Sequence, residues 1–599
     1  MILQALYDYY QRKVSDPDSG IAREGFELKA IPFLIVIDQE GTFIDLEDTR
    51  SGEGKIKAAR PFMIPRSKGR SGSKSYETVQ LLWDHIGYVA CVPRGGEAKD
   101  LELAKLQHAV WLQSLDSLSG RLGESASVLA IRQFYKKNQL ENLTAHPLFE
   151  GARKIPGCNI TFRLVGAESP VPCDVAVADA VRLETMAFAD SGNEGTCLIT
   201  GERAPIARTH TQTPISKDSK CLVSFQRNAG YDSYGKDQAA NAPVSTAAEF
   251  AYTTALGLLL AKDSQNKMRV GDATTVFWSQ KRSEFEDFFA SFFTLPKKDN
   301  PDDEILAVRS LYESFRTGSM QSESDTPFFV LGLAPNSARI SVRFWHQGTI
   351  KECATHLQMH FNDLEIVRGA NDHGRYSLFW ILVETANEGK IDNVQPNLAG
   401  AIVRAILDGH SYPAQLLHQV VRRIRAEQVR RSRADTNVSR TRAAILKACL
   451  NRFQRTHPSK EKEITVALDL DNNNPGYRLG RLFAALEKIQ EDASPGLNAT
   501  IRDRFYGAAS ASPVTAFPQL LKLKNHHLKK MDNPRFVGAH EKRLTEIMSG
   551  LPTSMPAHLK MDDQARFAIG YYHQRQAFFT KAASVDQNSE PSNNTNESK

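Results

Sequence analysis

The sequence predicts an α+β chain, with mixed α/β N-terminal and middle regions followed by a C-terminal all-α helical bundle. Three observations carry that expectation. Apolar runs of strand length, continuous or alternating, fall before about residue 395. After that point apolar residues keep helical spacing and strand signals nearly vanish. The third is length: 599 residues are too many for one core, because domains hold roughly 100–200 residues each. The expected parts are residues 1–190, 191–395 and 396–581. A tail at 582–599 has too little apolar content to order itself.

Ile2, Leu3, Leu6, Tyr9 and Tyr10 recur at helical spacing and predict a first helix. Phe33–Ile37 and Thr42–Leu46 flank a polar turn containing Gly41 and predict a hairpin. Residues 50–75 are rich in Gly, Ser, Lys and Arg and predict a loop. Helix is expected from Leu101 to Tyr135, strand at Asn159–Val165, and a connecting helix from Cys173. Short strands are expected at Cys197–Thr200 and Cys221–Phe225, then a helix from Thr246 to Ala261. From Thr274 the order strand, helix, helix, strand, strand, helix resembles a split βαβ unit, the ferredoxin-like arrangement. Pro413 stands at a helix start, and Leu417, Val420, Val421 and Ile424 share one face of that helix. Asn474-Pro475-Gly476 opens a further helix pair. The five tryptophans and the aromatics of GYYHQRQAFF are expected in cores.

Composition excludes several classes. The chain is 41% apolar and 24% charged, ordinary for a globular protein, and has no apolar run long enough to span a membrane. Its seven cysteines include no CxxC pair, which argues against a disulfide scaffold or zinc ribbon and for a reducing, cytoplasmic setting. MILQALYDYYQRK puts apolar residues ahead of its charges and offers no signal-peptide cleavage site. There is no phosphate-cradling P-loop, no H-E-x-x-H and no G-x-S-x-G. Asp469, Asp471 and Asn473 begin like a calcium loop, but Asn474 and Gly480 occupy positions that need Gly and Glu, so a helix-capping loop is expected. Cys197, His210 and Cys221 match no standard zinc spacing and are expected to be packing residues. Neighbouring His526 and His527 diverge on a helix and cannot chelate together. No catalytic residue, metal or cofactor is expected. A dispersed acidic nuclease site would leave no local signature.

Charge is informative once located. The net is only +6, yet residues 401–455 hold twelve Lys/Arg against three Asp/Glu. Arg422, Arg423, Arg430 and Arg433 lie opposite the apolar face of their helix. Arg440, Arg442, Arg452 and Arg455 continue the stripe. A second island holds Arg66, Lys68, Arg70 and Lys74 with no acid among them. Both islands read as polyanion contacts or as solvated faces. The basic loop has no aromatic residue to stack on bases, so its contact would be with phosphates. Between Phe225 and Pro243 runs a long polar loop with Gln226, Arg227, Asn228, Tyr231, Ser233, Tyr234, Lys236, Gln238 and Asn241. Amides, hydroxyls and cations are the groups that exchange hydrogen bonds with base edges. The alternative is a self-bonded loop closing a domain.

Read together, MILQALYDYYQR, CLVSFQRNAGYDSYGKDQAANAPVS, AYTTALGLLL, FFVLGLAPNSARISVRFW, NPGYRLGRLFAALEKIQ, NATIRDRFYGAASASPVTAFPQLL and FAIGYYHQRQAFF resemble the large subunit of the type I-C CRISPR Cascade surveillance complex. The blocks span nearly the whole chain. The resemblance implies a non-catalytic subunit that reads the protospacer-adjacent motif in duplex DNA, helps unwind the target and stabilises the R-loop. It implies as partners crRNA, target double-stranded DNA, backbone and crRNA-handle subunits, and a recruited helicase–nuclease. It also implies small subunits made by internal translation from the chain's own C-terminal region, here about 479–599. No methionine occurs between Met359 and Met531, so such a start needs another codon, at a residue such as Val466, Leu468, Leu479 or Leu482. The competing readings are a metal-dependent nuclease and a subunit that binds or processes the crRNA handle.

Overall fold

The computed structural model describes residues 1–16, 19–52, 58–68, 70, 73–121, 125–174, 177–178, 194–215, 219–226, 230, 234–289, 325–337, 339–368, 376–395, 397–427, 437–459 and 461–583. The chain divides into two compact units: Met1–Pro214 with Ser219–Leu258, and Ile215–Asp218 with Leu259–Lys599. This division lies at neither of the expected breaks, 190 and 395. The reason at 395 is packing, since one apolar cluster runs from Met268 to Tyr572.

The first unit opens with α1 (Ile2–Val14), β1 (Phe26–Ala30), β2 (Phe33–Ile37) and β3 (Phe43–Asp48). The short pair β4 (Arg50–Ser51) and β5 (Ala58–Ala59) precedes β6 (Pro61–Pro65) and β7 (Trp83–His85). Helices α2 (Ile86–Val89), α3 (Ala98–Arg121), α4 (Ala126–Lys136), α5 (Leu140–Ala145) and α6 (Phe149–Arg153) then carry the chain to β8 (Asn159–Leu164). The main sheet has the order β3-β2-β8-β7. β2 pairs antiparallel with β3, as the hairpin pattern predicts, and parallel with β8. All five β2 side chains are buried, which explains a continuous apolar run in place of alternation. Phe33, Ile35 and Ile37 join Trp111, Ile131 and Phe134 on one face, while Leu34 meets Phe62, Ile64 and Trp83 on the other. Gly41 sits at the hairpin end with φ +78°, where a Cβ would lie 2.4 Å from the Ala130 carbonyl oxygen. Only glycine lets that turn rest on the backbone of α4.

Later in this unit come the paired strands β9 (Glu194–Thr196) and β10 (Arg203–Pro205), the paired strands β11 (Gln212–Pro214) and β12 (Ser219–Cys221), and α7 (Thr246–Leu260). The strand expected at Cys197–Thr200 is instead a turn closed by Gly201 N–H donating to the Cys197 carbonyl at 2.9 Å. The strand expected at Cys221–Phe225 ends at Cys221.

The second unit begins with β13 (Lys267–Val270), β14 (Ala273–Ser279), α8 (Glu284–Phe289), β15 (Pro327–Asn336) and β16 (Arg339–Thr349). Each strand is the antiparallel neighbour of the next. That is a meander, and it corrects the ferredoxin-like expectation, which needs a parallel pair with a strand between. Both arrangements share the order strand–helix–strand, and periodicity alone does not choose the pairing partner. The second helix expected there, within residues 304–315, lies outside the described residues, as do most of the segment after Cys173 and tail residues 584–599.

Helices then dominate: α9 (Ile350–Leu364), α10 (Leu378–Val383), α11 (Leu398–Leu407), α12 (Ala414–Ala426), α13 (Arg440–Thr456), α14 (Pro475–Ala493), α15 (Ile501–Ala511), α16 (Pro513–Leu528), α17 (Pro534–Ser549) and α18 (Met561–Ala583). The α12 helix buries Leu417, Val420, Val421 and Ile424, the face that its spacing predicts. The Asn474 side chain caps α14 by accepting the Tyr477 N–H at 3.2 Å, so the calcium-like run is a capping loop. Trp83, Trp111 and Trp278 are core residues, but Trp380 is 48% exposed and Trp345 only partly buried. Tyr571 and Tyr572 are buried, whereas Phe579 is 64% exposed and leaves the expected aromatic core. Among the described residues no helix is long and apolar enough to cross a membrane.

Candidate nucleic-acid interface

The polar loop after β12 is built from its anchored end. Ala239 N–H donates to the Arg208 carbonyl, and Leu198 N–H to that of Pro243. A 3-10 turn covers Gln238–Asn241. The Asn241 amide nitrogen donates to the carbonyls of Lys236 at 3.2 Å and Gln238 at 2.9 Å. That amide therefore staples the loop. Tyr234 is 99% exposed, and Lys236 and Gln226 are exposed too. Among the described residues of the loop, Gly230, Tyr234, Gly235 and Gln238 adopt left-handed backbone. For Tyr234 and Gln238 this conformation is sparsely populated. Arg227, Asn228, Tyr231 and Ser233 lie outside the described residues.

The basic loop divides by side chain. Arg66 bonds the Thr211 hydroxyl, lies 3.8 Å from the Glu249 carboxylate and stacks over Phe250. Arg70 pairs with Asp84, donates to the Thr78 carbonyl and covers the Tyr88 ring. Asp84 is 1% exposed. Burial raises its carboxyl above the usual range against the pull of Arg70. Neighbouring His85 is held down at about 3, by burial first and then by the Arg94 and Arg70 charges. The Gln80 amide bridges the backbone N–H and carbonyl of Lys68, which fixes the strand exit while the lysine side chain stays exposed. Lys74 is exposed and forms an open i,i+3 pair with Glu77. Arg66 and Arg70 are therefore committed within the fold.

The arginine stripe is not one exposed surface, and this corrects the sequence expectation. Arg442 is 7% exposed, between Glu384 and Glu427 at 2.7 Å each. Arg452 is 2% exposed and meets Asp363 at 2.6 Å. Arg455 bridges Asp363 and Glu463, and Arg440 packs over Tyr376. Exposed on the outer face of α12 are Arg422 and Arg425, while Arg423 is half-buried beside Glu427. Arg430 and Arg433 lie outside the described residues. A buried arginine needs a carboxylate partner, and the acids that supply it come from distant helices.

Two arrangements bear on chemistry. The first is the thiol–imidazole set: Cys197 accepts N–H bonds from Ile199 and Ser245, His210 bonds Tyr252 at 2.5 Å, and Cys221 donates to the His210 carbonyl. Burial raises the Cys197 thiol, but donors at Ser245 and Thr200 outweigh it and bring it down to about 7. Among the described residues no group of three or more His, Cys, Asp or Glu is arranged to hold a metal. The second has no signal in the sequence: His346 lies 3.2 Å from Cys353 Sγ and 2.7 Å from Asp408, the spacing of a nucleophile–base–acid relay. Cys353 is fully buried and its thiol is pushed well above the ordinary value, chiefly by burial. The His346 imidazole is pushed down by burial. A neutral, sealed thiol is no nucleophile, so this is a packed polar network.

A family model described as CRISPR-associated protein (Cas_Csd1) matches residues 6–579. No curated protein gives a significant match. With nearly its whole length matched, the chain belongs to the Cas_Csd1 family of CRISPR-associated proteins, the type I-C Cascade large subunits whose blocks it carries.

Proposed function

We propose that the chain reads the protospacer-adjacent motif in duplex DNA, helps unwind the target, stabilises the R-loop and supports recruitment of the helicase–nuclease, with no catalysis of its own. Gln226–Asn241 is the reading loop. The observation that supports this is the stapled end of the loop, with left-handed backbone at Gly230, Tyr234, Gly235 and Gln238, which leaves Tyr234 99% exposed and Lys236 exposed. Gln226 and Gln238 supply amides of the kind that pair with base edges. Lys68 and Lys74 are the phosphate contacts. Arg66 and Arg70 belong to the same basic surface, but their partners Glu249 and Asp84 make them part of the fold as well. Arg422 and its neighbours on α12 face the displaced strand or the crRNA.

In the assembled complex, Gln238→Ala narrows the affinity gap between correct and incorrect motifs by about 1–3 kcal/mol. Lys68→Ala weakens all sequences alike and lowers the salt slope by roughly one. Titrating both variants against paired duplexes at several salt concentrations checks this. Unchanged discrimination in Gln238→Ala together with Gln226→Ala and Tyr234→Ala would remove the loop from motif reading.

The small subunit made from the C-terminal region belongs to the same proposal. Tyr477 is buried with its hydroxyl 2.9 Å from His573 Nδ1, and Asn474 caps the helix. A start at Leu479 or Leu482 would delete that turn of α14. Start residue Val466 or Leu468, decoded as methionine, preserves it. Silent recoding of those two codons is expected to abolish a short product of the tagged gene, and N-terminal sequencing identifies its first residue. Purified complex containing only full-length chain would defeat this part.

A further inference from the structure

The second unit contains a cavity of about 470 Å³ that neither motif reading nor phosphate contact uses. Three features build it. The first is the tight β13–β14 hairpin, in which Val270 pairs with Ala273 and Gly271-Asp272 form the turn. Gly271 has φ +60°, and a Cβ there would come within 2.9 Å of Ala399 Cβ, so the turn rests on the start of α11. The second is a β-bulge. Gly332 faces Phe344 and Leu333 faces Val342, which leaves Arg343 as the extra residue of β16. A bulge breaks alternation and re-aims side chains. Val342, Arg343 and Phe344 consequently all line one cavity, where a regular strand would send Arg343 to the other face. The third is the small-residue face of α11, Gly400, Ala401 and Ala405. Gly332 and Gly400 both leave room for the Phe344 ring, since a Cβ would approach it to 2.3 Å and 3.2 Å respectively.

The polar groups are held in place. Arg343 Nη2 donates to Asp272 Oδ2 at 2.7 Å. Arg404 Nε donates to one oxygen of Asp408 at 3.3 Å, while the other oxygen bonds His346 at 2.7 Å. His410 and Ser411 complete the rim. Val342 and Ala401 give the cavity an exposed apolar lining alongside the two oriented guanidinium groups, over a Phe344 ring that is itself buried. Asp272 beside Arg343 offers an acceptor and donors side by side, the complement of a base edge that carries both. Arg404, 67% exposed, is placed for a phosphate.

We propose that this cavity takes one unstacked nucleotide of a single nucleic-acid strand, with its base against Val342 and Ala401 and its phosphate at Arg404. The proposal rests on the reading of the chain as a subunit that contacts nucleic acid. A cavity of about 470 Å³ is on the scale of one nucleotide, so the occupant is an extruded or single-stranded base. An acidic peptide fits less well, because its carboxylates offer no donor–acceptor edge to the Asp272–Arg343 pair and no planar ring to the apolar lining.

The test uses the full-length chain and a labelled single-stranded 20-mer carrying iodouracil. Wild type is expected to crosslink within residues 340–346 or 397–413. Ala401→Trp fills the cavity from an exposed helical position and is expected to abolish that crosslink. It should also weaken binding about 10-fold, the low end of the scale for one lost base contact. Arg404→Glu, also at an exposed position, should weaken binding and flatten its salt dependence. Wild-type affinity and crosslinking in Ala401→Trp would overturn the proposal. So would a mixed-sequence peptide that displaces the oligonucleotide from this crosslink at lower concentration than unlabelled strand. Motif discrimination by the assembled complex separates the two readings. If Gln238→Ala loses discrimination while Ala401→Trp binds single strands normally, the cavity claim fails and motif reading stands. If Ala401→Trp loses single-strand binding while Gln238→Ala discriminates normally, the reverse holds.

Discussion

Glu487→Ala is expected to destabilise the second unit by about 3–5 kcal/mol, the scale for removing one partner of a buried charge pair. Glu487 is fully buried and anchors three helices. It accepts from the Thr500 hydroxyl at 2.6 Å and the Tyr571 hydroxyl at 2.5 Å, with Arg575 at 3.6 Å. Fully buried Arg502 lies 4.0 Å away, and none of its guanidinium nitrogens has a hydrogen-bond partner among the described residues. Without Glu487 that cation is left with Asp503, also at 4.0 Å. Glu487→Gln keeps an acceptor oxygen for only one of the Thr500 and Tyr571 hydroxyls, loses the charge and is expected to fall between. Glu487→Leu combined with Arg502→Leu should recover most of the loss, because apolar replacement of a buried ion pair is often neutral or favourable. Urea midpoints followed by circular dichroism check the order. A double variant less stable than Glu487→Ala would contradict the charge explanation.

Gly480→Ala is the second large effect. Helices α14 and α18 approach through their glycines. A Cβ at Gly480 would lie 2.0 Å from the Phe567 carbonyl oxygen, one at Gly476 2.4 Å from that of Asp563, and one at Gly570 2.1 Å from that of Tyr477. The obstructing atoms are backbone, so a side chain there forces the helices apart. Overpacking of this kind costs about 1–3 kcal/mol, more than offsetting the gain in helix propensity. Gly480→Leu is expected to be worse. Gly538, within α17, has nothing within 4 Å of a Cβ, and Gly538→Ala should stabilise by about 0.5–1 kcal/mol. Equal melting temperatures for Gly480→Ala and wild type would contradict the close-approach account.

Sequence legibility tracks local periodicity and chemistry. The Phe33–Leu46 hairpin, the apolar face of α12 and the Asn474 cap are all legible, because each depends on residues within one or two turns. Buried arginines are not. Arg442 and Arg452 read as a solvated stripe, since their partners lie up to 89 positions away. Gly480 and Gly570 look like ordinary helix weaknesses until their helices are seen to touch. The meander of β13 to β16 is hidden for the same reason. The bulge at Arg343 is the sharpest case, because Ile340, Val342 and Phe344 alternate correctly in sequence while the paired strand slips by one. In the candidate interface, loop composition singles out Tyr234, which is 99% exposed, and Gln238, which is only partly exposed. It does not show that Asn241 serves the loop itself, or that Arg66 and Arg70 carry acid partners.

The central claim is that Gln226–Asn241 reads the motif. Its most direct test is a structure of the assembled complex on duplex DNA carrying the motif. The account predicts side chains of this loop within hydrogen-bonding distance of base edges in the motif, with Lys68 or Lys74 on the adjacent phosphates. Base-edge contacts made wholly by another segment or another subunit, with this loop turned to protein or to the crRNA handle, would contradict it.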